Sequence, residues 1–229
     1  MQKKLAITIF IIGLNLVSVS QLDAAIGFYF GPNYSIYSLG HSYGKAKHGY
    51  GFGLQSGFLA KTNTSRLASF RFDLLFSLTT LNAKIELIPD DNNYYTSIDG
   101  YFNFYSIIIN PQVQFNILKN KGLFICSGMA YRYVKSNGKG TAYQYNSSSE
   151  FQGKDFNYLF NNNVFSITLS VGYQKFKIGK LTLFSELKES IDLNGITYSY
   201  YTPTPFRAFT TSITIGILLF KEKKQDEQH

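Results

Sequence analysis

Eight stretches of this chain alternate large apolar residues with small or polar ones. In the last stretch one face carries Phe209, Thr211, Ile213, Ile215, Ile217 and Leu219, and the other carries Thr210, Ser212, Thr214 and Gly216. A period of two places successive side chains on opposite faces of a β-strand. An apolar face backed by an uncharged polar face is typical of a strand that spans a lipid bilayer. The pattern therefore predicts an all-β fold, an eight-stranded antiparallel up-and-down transmembrane β-barrel.

The other seven stretches repeat the pattern. Their apolar faces begin at Ile26, Tyr50, Ala68, Tyr105, Leu123, Phe165 and Leu181. Each is close to the length of about 9–11 residues that a tilted strand needs to cross the hydrocarbon layer. Pro32 lacks a backbone donor, so we expect an irregularity in the first strand.

The links between these strands alternate in length. Long links are predicted at 40–47, 82–100, 136–162 and 194–205, and short ones at 62–64, 119–122 and 177–179. Short periplasmic turns and long external loops are typical of outer-membrane barrels, so both termini are predicted in the periplasm. The long links are rich in tyrosine: Tyr94, Tyr95, Tyr143, Tyr145, Tyr158, Tyr198, Tyr200 and Tyr201. Such loops suit either a binding surface or ordinary exposed loops with an interfacial aromatic girdle, and four further residues are girdle candidates: Tyr50, Tyr131, Tyr133 and Phe220.

The N-terminus predicts export. Lys3 and Lys4 precede an apolar run from Leu5 to Val19, and small residues favour cleavage after Ser20. Residues 1–20 are therefore predicted to be a signal peptide, and residues 21–229 an outer-membrane β-barrel domain with a polar C-terminal tail at 221–229. The expected location is the cell outer membrane.

Composition narrows the range of partners. Charged residues make up 16% of the chain, against about 25% in soluble domains, and the formal net charge is +8. Export argues against nucleic acid, so outer-membrane lipid and the phosphates of lipopolysaccharide are the expected anionic neighbours. A soluble ligand-carrying barrel is the closest rival, but its water-facing side would carry many Lys and Glu residues. Cys126 is single and forms no internal disulfide.

Five charged residues fall on the predicted lumen face of strands three, five and seven: Arg71, Asp73, Arg132, Glu186 and Lys188. Charges in a narrow interior need partners, because an isolated buried ion is costly. An eight-stranded barrel is only wide enough for its own side chains. We therefore predict a packed polar interior held by a structural set of ion pairs, and no wide diffusion pore.

Enzymatic chemistry finds little support in the sequence. Lipid-modifying barrels need a nucleophile and a base, and the histidines are His41, His48 and His229. His48 is the candidate base, but no serine and acid are placed beside it by spacing. Residues 90–93 lack the spacing of a calcium loop. No catalytic, cofactor-binding or metal site is predicted. The leading function is a non-enzymatic structural or surface-interaction barrel, with a protein partner through its loops; a lipid-active enzyme and an accessory component of protein secretion are the alternatives.

Several short motifs run through the mature chain in a recognisable order. They are the Gly27–Gly31 and Gly53–Gly57 segments, Phe70-Arg-Phe-Asp in the third strand, Tyr105 to Pro111, Gly128, Val171-Gly172-Tyr173, and Lys188. In this order they resemble the PorT-like outer-membrane β-barrel family of Bacteroidetes. The spacing from Tyr105 to Pro111 is longer than in the family pattern, and Glu189 stands where an aromatic residue is usual. The resemblance implies the barrel fold and the outer-membrane location.

Overall fold

The structure is a computed structural model that describes residues 24–42, 45–63, 68–86, 95–117, 122–144, 148–153, 160–178, 181–196 and 207–220. The strands are β1 (Ala24–Ser42), β2 (Lys45–Asn63), β3 (Ala68–Glu86), β4 (Tyr95–Asn116), β5 (Leu123–Gln144), β6 (Ser148–Gly153), β7 (Asn163–Ile178), β8 (Leu181–Asp192) and β9 (Arg207–Phe220). Among these residues no helix is long and apolar enough to cross a membrane. The predicted signal peptide and the 221–229 tail lie outside the described residues.

The strands close into a barrel. Every neighbouring pair is antiparallel, β1 pairs with both β2 and β9, and β4 pairs with β5. Among the described residues, β6 pairs with the last part of β5, on the same edge of β5 as β7 but nearer the opposite end from Ala24. The prediction of an eight-stranded antiparallel barrel is confirmed. We call the end at Ala24 and Phe220 the inner end, and the opposite end the outer end.

The outside of the barrel carries a belt of exposed apolar side chains. The belt includes Phe28, Phe30, Leu54, Phe58, Phe70, Phe76, Phe115, Met129, Ile167, Leu187, Ile213 and Ile215. The alternate residues point inward, and those in the middle of the barrel are polar and buried, such as Asn33, Asn110 and Thr214. Water does not stabilise a closed belt of this kind, whereas lipid does, and the closed sheet leaves no unpaired strand edge in the bilayer. The barrel is therefore a transmembrane one.

The strands are longer than predicted. Residues assigned to the 40–47 link belong mostly to β1 and β2, and the 82–100 link shrinks because β3 reaches Glu86 and β4 begins at Tyr95. In the 136–162 link, β5 continues to Gln144 and β6 follows. The short turns at 62–64 and 177–179 are likewise partly strand.

A change in the apolar pattern explains these longer strands. On β3, Leu78 points outward and is exposed, but beyond it Leu81 and Ile85 point inward and are buried, while Asn82 and Lys84 point outward and are exposed. The polar and apolar faces have therefore exchanged places. Beyond the lipid the outside of the sheet meets water, so the apolar face must be the inner one. Period-two alternation continues, but its polarity reverses.

These inward residues form a large outer apolar cluster that fills the outer end of the barrel. Its members are Tyr37, Leu81, Ala83, Ile85, Ile98, Phe102, Phe104, Val134, Ala142, Phe151, Phe160, Val164, Ile196 and Ala208. An inner apolar cluster, Ala25, Tyr29, Leu59, Leu75, Phe124, Cys126, Phe184 and Leu218, packs nearer the inner end. The predicted polar interior is thus corrected: buried polar residues share the lumen with two apolar clusters.

The barrel closes where β1 meets β9, and the fit there is tight. A Cβ atom on Gly31 would overlap the carbonyl oxygen of Ile213, so only glycine fits this inward position. β1 pairs with β9 at Phe30 and Asn33 but not at the two residues between them, one of which is Pro32. The register is the same on both sides of the gap, so the irregularity expected at Pro32 is a missing rung of the ladder and not a bulge.

Candidate functional site

Four of the five predicted lumen charges meet inside the barrel. Arg71 and Asp73 lie two residues apart on β3, and Glu186 and Lys188 lie two apart on β8, so each pair shares its strand's inward face. The Arg71 Nη2 atom lies 2.7 Å from Glu186 Oε2, and Lys188 Nζ lies 2.7 Å from Asp73 Oδ2. We call these four residues the charged lumen cluster. Its two cations and two carboxylates sum to zero charge.

Asp73 is the centre of the charged lumen cluster. Arg71 donates to both of its oxygens, with Nε 2.7 Å from Oδ1 and Nη2 3.1 Å from Oδ2. The Tyr29 hydroxyl, at 2.9 Å, and the Gln112 amide nitrogen, at 2.6 Å, also donate to Oδ2. With Lys188, the donors to Asp73 come from β1, β3, β4 and β8, which include strands on opposite sides of the lumen.

Aromatic side chains surround the cations of the cluster. The Arg71 guanidinium carbon lies 5.6 Å from the centre of the Tyr29 ring and 5.8 Å from that of Phe184, and Lys188 Nζ lies 5.5 Å from the Tyr29 ring centre. Ring faces attract cations, most strongly where water is excluded. The cluster therefore packs against the inner apolar cluster, to which both rings belong.

Arg132, the fifth predicted lumen charge, lies elsewhere. Its Nη2 atom pairs with Asp192 Oδ2 at 2.7 Å. Asp192 also accepts from the Ser166 hydroxyl at 2.8 Å and from the backbone N–H of Ala208 at 3.1 Å. This second ion pair ties β5, β7, β8 and β9 together and is separate from the charged lumen cluster.

Sequence reasoning missed three residues that bond to the lumen charges, Tyr29, Gln112 and Asp192, and one buried cation beside them, Lys61. All four occupy inward positions, so strand parity could have placed them, but parity does not identify which inward residues meet. Lys61 is 3% exposed and has no carboxylate partner among the described residues. It faces a cavity of about 10 Å³ that Arg71 also lines. A water molecule needs about 10–15 Å³, so this space admits at most one water.

The remaining candidates of the sequence analysis are not assembled into a site. His41 pairs with Ala46, and His48 pairs with Ser38, so both histidines lie within strands and not in a loop. Residues 90–93, His229 and most of the loop tyrosines lie outside the described residues. In the part of the chain that the structure describes, no three His, Cys, Asp or Glu side chains are grouped as metal ligands.

The girdle candidates have mixed outcomes. Tyr50 and Tyr133 are exposed on the outer face of the barrel, and the hydroxyl of Tyr131 donates to the side chain of Asn163. Tyr143 lies on β5 and not in a loop, and Lys84 Nζ lies 5.5 Å from the centre of its ring. The side chain of Phe220 lies outside the described residues.

Comparison with known proteins gives weak structural likenesses only. No protein-family model matches the chain, and no curated protein matches it. Neisserial surface protein A is 12% identical, with a TM-score of 0.38 over 85% of this chain and 97% of its own. Ail of Yersinia pestis is 13% identical, with a TM-score of 0.39 over 86% and 99%. OprG of Pseudomonas aeruginosa is 8% identical, with a TM-score of 0.45 over 88% and 98%. Similarity at this level carries no argument about function.

Proposed function

We propose that this protein is a non-enzymatic, non-conducting β-barrel of the cell outer membrane that presents its outer end as a binding surface. The observation that carries the proposal is the filled lumen. A charged layer with direct ion pairs and an apolar layer of packed aromatic rings follow one another inside the barrel. A solute crossing the barrel would have to displace both layers.

The shape of the outer end supports a surface role. β3, β4 and β5 continue beyond the apolar belt, and their outward residues there are polar or tyrosine. These include Asn82, Lys84, Asp99, Tyr101, Asn103, Asn137, Lys139 and Tyr143. The outer apolar cluster packs behind this face. A rigid face with tyrosines and hydrogen-bonding side chains gives contact area at small entropic cost.

The outer-membrane location rests on the transmembrane barrel together with the predicted signal peptide. We include membership of the PorT-like family in the proposal, supported by the motifs of the mature chain. Two of them lie at close contacts of the barrel: Gly31 stands where β1 and β9 approach each other, and Lys188 belongs to the charged lumen cluster. The proposed role of that cluster, with Arg132 and Asp192, is to hold the barrel together.

The absence of conduction is directly testable. Purified protein inserted into a planar lipid bilayer is expected to give no unitary conductance steps above those of the lipid alone, because side chains fill the lumen at two levels. Each preparation is first checked for the shift in gel mobility on heating that a folded barrel shows. Reproducible steps from folded protein would overturn the proposal, since they require a continuous water path.

Surface presentation is tested by cysteine labelling. Lys139 is exposed on the outward face of β5 beyond the apolar belt, and Lys175 is exposed near the inner end on β7. Cys126, the native cysteine, is 0% exposed. On intact cells a membrane-impermeant maleimide is expected to label Lys139→Cys and not Lys175→Cys.

After the outer membrane is permeabilised, both variants should label, and unmodified protein should remain unlabelled in each case. Labelling of Lys175→Cys alone on intact cells would reverse the orientation and contradict a surface role for the outer end.

A further inference from the structure

The apolar belt is interrupted by a groove on the side formed by β1 to β5. Its volume is about 610 Å³, and its walls are mainly outward-facing side chains: Phe30, Leu54, Phe76, Leu78, Tyr105, Ile107, Tyr133 and Lys135. Ser56 lies in the groove and pairs with Phe30 on one side and Phe76 on the other. The gap exists because one small side chain stands in a row of large ones.

The groove runs diagonally across the barrel wall. One wall is the row Phe30, Ser56, Phe76, Ile107 and Tyr133, whose members pair in turn from β1 to β5. Phe30 is six residues from the start of β1 at Ala24, whereas Tyr133 is ten residues from the start of β5 at Leu123. The row therefore climbs from the middle of the apolar belt towards the outer end of the barrel.

A cation, Lys135, lies at the end of the groove nearest the outer end of the barrel. Lys135 is exposed, pairs with Tyr105, and has no carboxylate partner among the described residues. It lies at the border of the belt, since its neighbour in the next outward rung is the polar Asn137. Lys139 follows on the same face of β5 and is also exposed. The groove therefore has apolar walls within the belt and two lysines towards the outer end. This arrangement fits a molecule with an acyl chain and an anionic head group.

We propose that this groove binds a phosphate-bearing lipid of the outer leaflet, with an acyl chain along Ser56 and Phe76 and the phosphate at Lys135. The proposal rests on the outer-membrane orientation proposed above. A groove on a bilayer-facing surface is filled by lipid tails, because an empty apolar gap forfeits dispersion contacts on both sides. An unpaired ammonium at the headgroup level supplies the preference for phosphate.

Lipid retention tests the proposal. The purified barrel is reconstituted into phosphatidylcholine vesicles containing a minor fraction of diphosphoryl lipid A, extracted into mild detergent, and its bound lipid is measured by native mass spectrometry. We expect retained lipid A. Ser56→Phe, which fills the groove, and Lys135→Met, which removes the cation, are each expected to lower retention about tenfold, the factor that corresponds to 1.4 kcal/mol.

Two matched variants separate the site from general effects. Ala60→Phe adds the same ring to the lipid-facing side of β2 away from the groove, and Lys175→Met removes an exposed cation near the inner end. Both are expected to retain lipid A as the unmodified protein does. A phosphate-free diacylglycerol probe, at the same fraction, should be retained far less than lipid A.

Equal retention by Ser56→Phe and the unmodified barrel would overturn the proposal, as would equal retention of diacylglycerol and lipid A. Because the measurement uses folded protein in vesicles, it does not depend on cellular location. If lipid A is not retained, the groove proposal fails but the conductance and labelling results still stand. If conductance or labelling contradicts the proposed function, the measured lipid retention is unaffected.

Discussion

Replacing Asp73 with asparagine is expected to destabilise the barrel by about 3 kcal/mol, in the range for breaking a buried ion pair from one side. The substitution keeps the size of the side chain but removes the charge that Arg71 and Lys188 share. The charged lumen cluster would then hold two cations and the single carboxylate of Glu186. Neither cation can turn to water, because both are buried.

A compensating substitution makes this prediction specific. In Asp73→Asn combined with Lys188→Met, one charge of each sign is lost and the pair of Arg71 with Glu186 remains. We expect the double variant to recover at least half of the stability lost by Asp73→Asn, which is the non-additivity of residues in one network. A purely steric effect at Asp73 would give additive losses.

The measurement is urea unfolding in detergent micelles, followed by the shift in gel mobility between folded and unfolded barrel. Asp99→Asn is the matched control, because Asp99 is an exposed aspartate on the outward face of β4. Its effect should stay within about 0.5 kcal/mol. Unfolding of Asp73→Asn at the same urea concentration as the unmodified protein would show that the charged lumen cluster does not hold the barrel together.

The second large effect is expected in the outer apolar cluster, where Phe104→Ala should cost about 3–5 kcal/mol. The Phe104 ring is 1% exposed and lies 5.2 Å, centre to centre, from the ring of Phe160 and 6.0 Å from that of Tyr37. Truncation leaves a cavity where strands β1 and β4 and residue 160 meet. The loss should fall on the outer part of the barrel, beyond the apolar belt.

Hydrogen exchange separates a local from a global effect. In Phe104→Ala, the backbone amides at the outer ends of two strands are expected to lose protection from exchange. These are the amides of β3 beyond Thr80 and of β5 beyond Val134. Amides within the apolar belt are expected to keep their protection. Tyr101→Ala is the control, since Tyr101 is 50% exposed on the outward face of β4. Equal loss of protection in both variants would contradict an apolar cluster that supports the outer end.

Much of the barrel follows from local alternation. Phe70 to Leu78 on β3 and Phe209 to Leu219 on β9 point to lipid because residues two apart on a strand share a face, and this needs no knowledge of the partner strands. The inward position of Arg71, Asp73, Glu186 and Lys188 follows in the same way. The number and order of the eight barrel strands follow because neighbouring stretches are joined by links of alternating length, whereas β6 lies within a predicted link.

The strand ends beyond the lipid could not be predicted from local alternation. After Leu78 the polar and apolar faces exchange, and Asn82 begins a stretch that resembles a loop if lipid is assumed to lie outside. The tertiary structure shows that this stretch is strand and not loop, because Leu81 and Ile85 are buried among residues from β1, β4 and β5. Alternation reports which face is apolar, but only the assembled barrel decides whether lipid, water or protein lies against that face.

The ion-pair partners of the lumen charges could not be predicted from the sequence either. Asp73 and Lys188 are 115 residues apart, and Arg132 pairs with Asp192 and not with the other four predicted charges. These pairings depend on how far each strand is displaced along its neighbour when the sheet closes, and on the tilt that results. Strand parity determined that these side chains point into the lumen; the register of the closed barrel decided which of them meet.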